Sequence, residues 1–170
     1  MHQERIGMQI IQIGLEYADA MLAIYNDAVL NTTASFDLEP RDKQYMREYI
    51  QVKKAGGFPL LGIIEDGELL GYAAYGPFRP RAAYNKTVEL SVYIHKDHRG
   101  KGLGQKMLSL LIQKAVEQQY HCMVAAIDRE NHVSIHVHKK AGFSVCGIIK
   151  EVGYKFDSPR DLVFMQLLLP

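Results

Sequence analysis

Cysteine is nearly absent from this 170-residue chain: Cys122 and Cys146 are the only two, far apart and each set in an apolar stretch. Two such residues support neither a disulfide framework nor a zinc cluster, so both are expected as buried, reduced thiols. An excess of one charge is lacking too. Twenty Lys and Arg against nineteen Asp and Glu leave a formal net charge of +1, which excludes the broad basic surface that nucleic-acid binding uses. No apolar run reaches the roughly 18 residues that span a bilayer, so no membrane contact is expected. Met1-His2-Gln3-Glu4-Arg5 lacks the basic-then-apolar order of a signal peptide, and the expectation is a cytoplasmic protein. Hydrophobic residues at 48% and charged residues at 23% are ordinary globular values. A single domain over 1–170, with its own core, suits the length.

What is present is a succession of periods. Residues 8–13 alternate apolar and polar and stop at Gly14, as a first strand does. Over 15–30, Ala18, Met21, Leu22, Tyr25 and Val29 recur at helical spacing. Residues 31–36 are short, polar and aperiodic, hence a loop; a second helix starts at Arg41 after Pro40 and stops at Gly56-Gly57. The apolar runs 58–64 and 69–75 flank Asp66-Gly67, a strong hairpin signal. Pro77 and Pro80 then interrupt the sheet. Residues 88–95 alternate strictly, so Val88, Leu90, Val92 and Ile94 should face the core while Glu89, Ser91, Tyr93 and His95 face something polar. A helix from Leu103 to about Gln119, a buried strand over 122–127, a helix over 131–141 closed by Gly142, and strands over 143–149 and 162–169 complete the chain. This order predicts an α/β (α+β) fold, a mixed sheet covered by helices.

The turn Arg99-Gly100-Lys101-Gly102-Leu103-Gly104 joins the alternating strand to the Leu103 helix. Three glycines let the backbone come close to a ligand, and the unpaired N–H groups at the helix start point outward. The positive helix end, with Arg99 and Lys101 beside it, suits phosphate. A Walker loop is excluded, because Lys101 is followed by Gly102 and not by Ser or Thr. The dinucleotide pattern G-x-G-x-x-G is excluded as well, because the spacing here is G-x-G-x-G.

This turn resembles the acetyl-CoA motif Q/R-x-x-G-x-G/A of the GNAT acetyltransferase superfamily. The segments AIYNDAVLNTTASF, GYAAYGPFRPR, TVELSVYIHKDHRGKGLG, VAAIDRENHVSIHVHKKAGF and VGYKF are similar to its phosphinothricin and methionine sulfoximine acetyltransferase branch over nearly the whole chain. The resemblance implies a mostly antiparallel twisted sheet flanked by helices on both faces. It also implies a homodimer and acetyl transfer from acetyl-CoA, within a ternary complex, to an amino group of a small amino-acid-like substrate. It places the coenzyme on the backbone of Val92, Tyr93 and Ile94, on Arg99, Gly100, Lys101, Gly102, Leu103, Gly104 and Gln105, and on Asn131 and Ser134.

An ammonium group must lose a proton before it can attack a thioester, so a carboxylate near the acceptor raises the reactive fraction. Glu89 stands on the strand leading into the turn, and the branch carries its catalytic glutamate at this place in T-V-E-x-S-V-Y. By strand position alone, a solvent-facing carboxylate fits equally well. Arg79 and Arg81 can grip a substrate carboxylate through paired hydrogen bonds, with Phe78 as an apolar wall; two solvated arginines are the alternative. The resemblance extends the acceptor site to Glu89 and Ser91. Asn131 is also a good helix cap. His138 matches the branch's histidine, as a general acid or as a group that positions substrate. His132 and His136 lack a third ligand or an HExxH motif, so no metal is expected. Leu90, Phe78, Ser158-Pro159 and the absence of tryptophan depart from the branch on the acceptor side. A protein N-terminus or polyamine acceptor, or an acyl-CoA sensor without chemistry, are the competing readings.

Overall fold

The computed structural model describes residues 7–170. Seven strands, β1 (Gln9–Gln12), β2 (Leu60–Glu65), β3 (Glu68–Pro77), β4 (Thr87–Ile94), β5 (Cys122–Asp128), β6 (Ser144–Lys155) and β7 (Ser158–Leu168), form one sheet in the order β1-β2-β3-β4-β5-β7-β6. Every neighbouring pair is antiparallel except β4 and β5. The helices are α1 (Ala18–Asn31), α2 (Lys43–Ala55), α3 (Leu103–Glu117) and α4 (His132–Lys140).

Local chemistry accounts for the boundaries. Asp66 and Gly67 both take positive φ (50° and 82°), the conformation that a two-residue hairpin between β2 and β3 needs. The second helix starts two residues beyond Arg41, because Asp42 is its cap and accepts the Tyr45 N–H at 2.8 Å. The apolar faces of the helices then cover both sides of the sheet. Met107, Leu108 and Leu111 of α3 are fully buried with Met123 and Met165 on one side; Met21 and Ile24 of α1 pack with Met46, Ile50 and Tyr72 on the other. Each such side chain contributes about 1.5–3 kcal/mol on burial.

Three expectations are corrected. The face of β4 that carries Glu89 and Ser91 is not polar throughout: Tyr93 packs edge-on to Tyr25 at 5.3 Å and beside Tyr72 at 5.4 Å, because α1 and α2 cover that side. Strict alternation thus marks a strand with a core on each face. Cys146 is exposed on the edge strand β6 and Cys122 only partly buried, both as free thiols. The last two strands are longer than their apolar runs and meet at Phe156-Asp157, both at positive φ. Register shifts at 145/147 and 149/153 interrupt the alternation of β6 and hide its extent in the sequence.

The parallel ladder between β4 and β5 is very short. It holds only Thr87 with Cys122, Val88 with Met123 and Glu89 with Val124. Beyond Glu89, β4 stays with β3 as far as Ile94 and β5 stays with β7 as far as Asp128, so the sheet opens as a wedge.

Candidate active site

The wedge is a cavity of about 930 Å³. Its walls are β4 from Glu89 to Ile94, β5 from Ala125 to Asp128, loop residues 32–36 after α1, the turn before α3, and one side of α4. Past Glu89, the β4 backbone groups on this edge have no β5 partner, so they are available to a ligand. Glu89 is the last paired residue and stands at the vertex.

At the open end, Gly100 (φ 74°) and Gly102 (φ 77°) adopt left-handed backbone that disfavours any side chain. Gly102 caps α3 without a side-chain acceptor, so the first N–H groups of the helix remain open. Gly104 has no such conformational demand, yet it lines the cavity, and a Cβ there would meet no protein atom within 4 Å. That leaves room for a bound group against the backbone. Arg99 and Gly100 line the same end, whereas Lys101, Gly102, Leu103 and Gln105 do not, and Leu103 is buried in the core. The Arg99 guanidinium is already engaged, donating to Asp27 Oδ2 at 2.9 Å and to the Ile94 carbonyl at 3.2 Å. It therefore ties the turn to α1 rather than standing as a free cation.

Glu89 is partly buried, and burial pushes its carboxyl above the ordinary range, with the Arg79 charge pulling the other way. On α4, Asn131 is the helix cap, accepting the Ser134 N–H at 3.1 Å. His138 is buried on the cavity wall, edge-on to Phe143. Its Nδ1 lies 2.8 Å from the Ser134 carbonyl, an acceptor, so Nδ1 carries the proton and Nε2 the lone pair. Burial lowers its pKa, with the bond to the Ser134 carbonyl opposing in part. Among the described residues, the buried side-chain polar atoms without a hydrogen-bond partner are His138 Nε2 and Asp128 Oδ2, and both residues line this cavity.

Val92, Tyr93, Ile94, Ser91, Asn131 and Ser134 are brought together here as expected. Phe78, Arg79 and Arg81 do not line the cavity. Phe78 stacks edge-on with Tyr84 at 5.7 Å, and the Arg79 guanidinium lies 5.0 Å above the Phe78 ring. Arg79 nevertheless stands near enough to Glu89 for its charge to be felt there.

Loop residues 32–36 were legible only as a loop, not as a wall. Lys155, buried at 4% exposure, donates to the Ser35 carbonyl at 2.7 Å across 120 positions of sequence. Tyr25 donates to Asp37 at 2.5 Å; burial and that bond push its hydroxyl up to about 12. Arg41 grips Asp37 with two bonds of 2.9 and 3.0 Å, holding that carboxyl below the usual range. Phe36 covers Gly153, where a Cβ would lie 2.6 Å from its ring. No short motif signals this network, because its members come from α1, the loop and β6. Asp128 carries one local signal: its Oδ1 accepts the Glu130 N–H at 2.9 Å, a turn just ahead of the Asn131 cap.

A strand wedge with unpaired backbone groups, opening onto a glycine-built helix start, can take an extended ligand along β4 with an anionic group at the start of α3. The chain belongs to the acetyltransferase (GNAT) family, whose model matches residues 21–143. It is 45% identical over 166 residues, covering 96% of each chain, to the L-methionine sulfoximine/L-methionine sulfone acetyltransferase of Pseudomonas aeruginosa. It is 39% identical over 148 residues to the phosphinothricin N-acetyltransferase of Alcaligenes faecalis, covering 86% of this chain and 75% of that one. A Salmonella typhimurium acetyltransferase solved with its cofactor acetyl-CoA superposes with a TM-score of 0.93 at 39% identity, covering 96% of this chain and 94% of that one.

Proposed function

We propose that this acetyltransferase acts on the α-amine of a small L-amino acid or analogue of the methionine sulfoximine, methionine sulfone or phosphinothricin type. The observation that carries the reading is the position of Glu89, a carboxylate with a raised pKa at the vertex of the wedge. Acetyl-CoA supplies the activated acetyl group. The residues that fit it are the backbone of Val92, Tyr93 and Ile94, the Gly100 to Gly104 turn and α4 at Asn131 and Ser134. The β4 N–H groups past Glu89 would polarise the acetyl carbonyl, because they have no strand partner.

Glu89 takes the proton of the acceptor ammonium, and a raised pKa makes it the stronger base. The new N–C bond forms as the C–S bond breaks, and the sulfur, leaving as a thiolate, takes up the proton that the attacking nitrogen loses as it becomes the amide. His138 positions the acceptor in this scheme and does not donate a proton: its Nε2 holds a lone pair and burial disfavours its cation. Arg79 meets the acceptor carboxylate while Glu89 meets its nitrogen, which fits the charge that Glu89 feels from Arg79. Arg81 and Phe78 complete that outer side.

The enzyme is further proposed to be a homodimer joined through β6. That edge strand leaves Val145, Ile148, Ile149, Val152 and Tyr154 between 44% and 66% exposed, an apolar edge that soluble proteins ordinarily cover. Ile148→Asp should shift the protein to a monomer in sedimentation; an unchanged mass would remove this surface from the interface.

Thiol release from acetyl-CoA, followed over amino acids, their sulfone and sulfoximine analogues, peptides and polyamines, tests the acceptor class. Turnover confined to small amino acids bearing a free carboxylate supports it. Equal turnover of the matching amides, or turnover only with peptides or polyamines, overturns it.

A further inference from the structure

A second cluster of polar side chains lies outside the wedge, where the start of β3 meets the end of β4. Glu68, His95 and His98 each offer one ligand atom, and these three atoms lie within 4.8 Å of one another. His98 Nε2 is 3.5 Å from Glu68 Oε1, and the two imidazole rings are 5.4 Å apart, tilted by 57°. A tetrahedral zinc with N and O bonds of about 2.0–2.2 Å separates its ligand atoms by about 3.3–3.5 Å. The His98–Glu68 distance is thus already that of one edge of such a site. The remaining edges need small side-chain rotations, which partly exposed residues can make.

The surroundings suit a cation on most sides. Glu65 stands opposite Glu68 in the β2–β3 register, which adds a carboxylate to the same face. The Asp97 N–H donates to His95 Nδ1 at 3.2 Å, so ligation through Nε2 requires that bond to break and the proton to move to Nδ1. The Asp97 carboxylate, 3.9 Å from Nδ1, is placed to accept it there after a small rotation, the usual outer partner of a metal-bound imidazole. Lys101 opposes the ion, with its Nζ 3.3 Å from His98 Nδ1. A ring ligating through Nε2 carries its proton at Nδ1, so Lys101 must swing away, and its exposed position permits that.

We propose that Glu68, His95 and His98 form a binding site for a divalent ion of the zinc class. The bound ion clips the β3 end of the sheet to the turn that carries Arg99 and Gly100. This departs from the metal-free expectation of the sequence, which considered only His132 and His136; those two are exposed on α4 and have no third ligand among the described residues. None of the three side chains lines the acetyl-transfer cavity, and the ion takes no part in the chemistry.

The test is titration of the chelator-treated protein with zinc alone, followed by calorimetry and by thermal unfolding. One equivalent should bind, and zinc at a hundredfold excess over Kd should raise Tm by roughly 5–10 °C. His95→Ala/His98→Ala should abolish both effects while His132→Ala/His136→Ala keeps them. Glu68→Gln, which preserves shape, should weaken binding by about tenfold or more. Circular dichroism and acetyl transfer without added metal check that the variants are folded. Wild-type protein with no stoichiometric site, or a His95/His98 double variant that binds as wild type does, overturns the proposal.

Discussion

The two ends of the wedge are made of different material. The end proposed for the coenzyme is backbone: left-handed glycines at 100 and 102, open N–H groups at the start of α3, and the unpaired edge of β4. The end proposed for the acceptor is side chains: Glu89, His138 and a loop held by Lys155, Tyr25 and Arg41. Backbone presents the same donors whatever the sequence around it, so it suits a carrier that never varies. Side chains can be exchanged one at a time, which suits an end where specificity is set.

The largest effect that would break this contrast is expected at Glu89. Glu89→Gln should lower kcat by about 10²–10⁴, the usual worth of a positioned base, and leave the coenzyme Kd unchanged. The loss should shrink at high pH, where the acceptor amine deprotonates without help; a pH-independent loss would exclude the base role. Stability should move the opposite way. A carboxyl whose pKa is raised by folding above its ordinary value of 4.5 holds its proton longer in the folded state. Wild-type stability is therefore lost as pH rises from there through the raised folded value. Glu89→Gln escapes this loss and should show the higher Tm at pH 7.

At the other end, Gly104→Val should raise the coenzyme Kd by about tenfold to a hundredfold. A Cβ at 104 meets no protein atom within 4 Å, so the protein should fold with Tm unchanged or slightly raised by the sub-kcal/mol advantage in helix propensity of Val over Gly. Equal acetyl-CoA affinity in wild type and variant would show that no group lies against this backbone.

The contrast also explains what could be read in advance. Glycine spacing, a strand that ends in a turn and the following amphipathic helix are local, so the β4 edge and the glycine turn that wall the cavity stood out in one stretch of sequence from Glu89 to Gly104. The Asp66-Gly67 hairpin and the element order were legible for the same reason. Lys155 and Ser35 are 120 residues apart, and neither carries a pattern that names the other. Arg99 shows the converse limit: its place beside the glycines suggests phosphate, but α1 supplies Asp27 to match it. The extent of β6 was lost because its irregular register removes the period by which strands are recognised.

Lys155→Met tests whether the acceptor wall depends on that distant bond. Methionine fills similar space but leaves the Ser35 carbonyl without its donor. KM for the acceptor should rise by about tenfold, the equivalent of about 1.4 kcal/mol, with kcat and coenzyme Kd nearly unchanged. A uniform fall in kcat for every acceptor, with Tm lowered in step, would mean a general loss of fold rather than a displaced wall.

Arg99→Ala should have the smallest effect, and it divides the two ends most finely. A cation serving phosphate would cost at least tenfold in coenzyme affinity when removed. A cation already paired with Asp27, its side chain 43% exposed, is worth about 0.2–1 kcal/mol to the fold and should change coenzyme Kd by less than about threefold. Asp27→Asn completes the comparison, because it frees the guanidinium without deleting it. If the pair serves only to hold the turn on α1, Asp27→Asn lowers Tm as Arg99→Ala does and the double variant loses no more. If Asp27→Asn instead tightens acetyl-CoA binding, Arg99 is a phosphate ligand restrained by its partner, and the coenzyme end is not built of backbone alone.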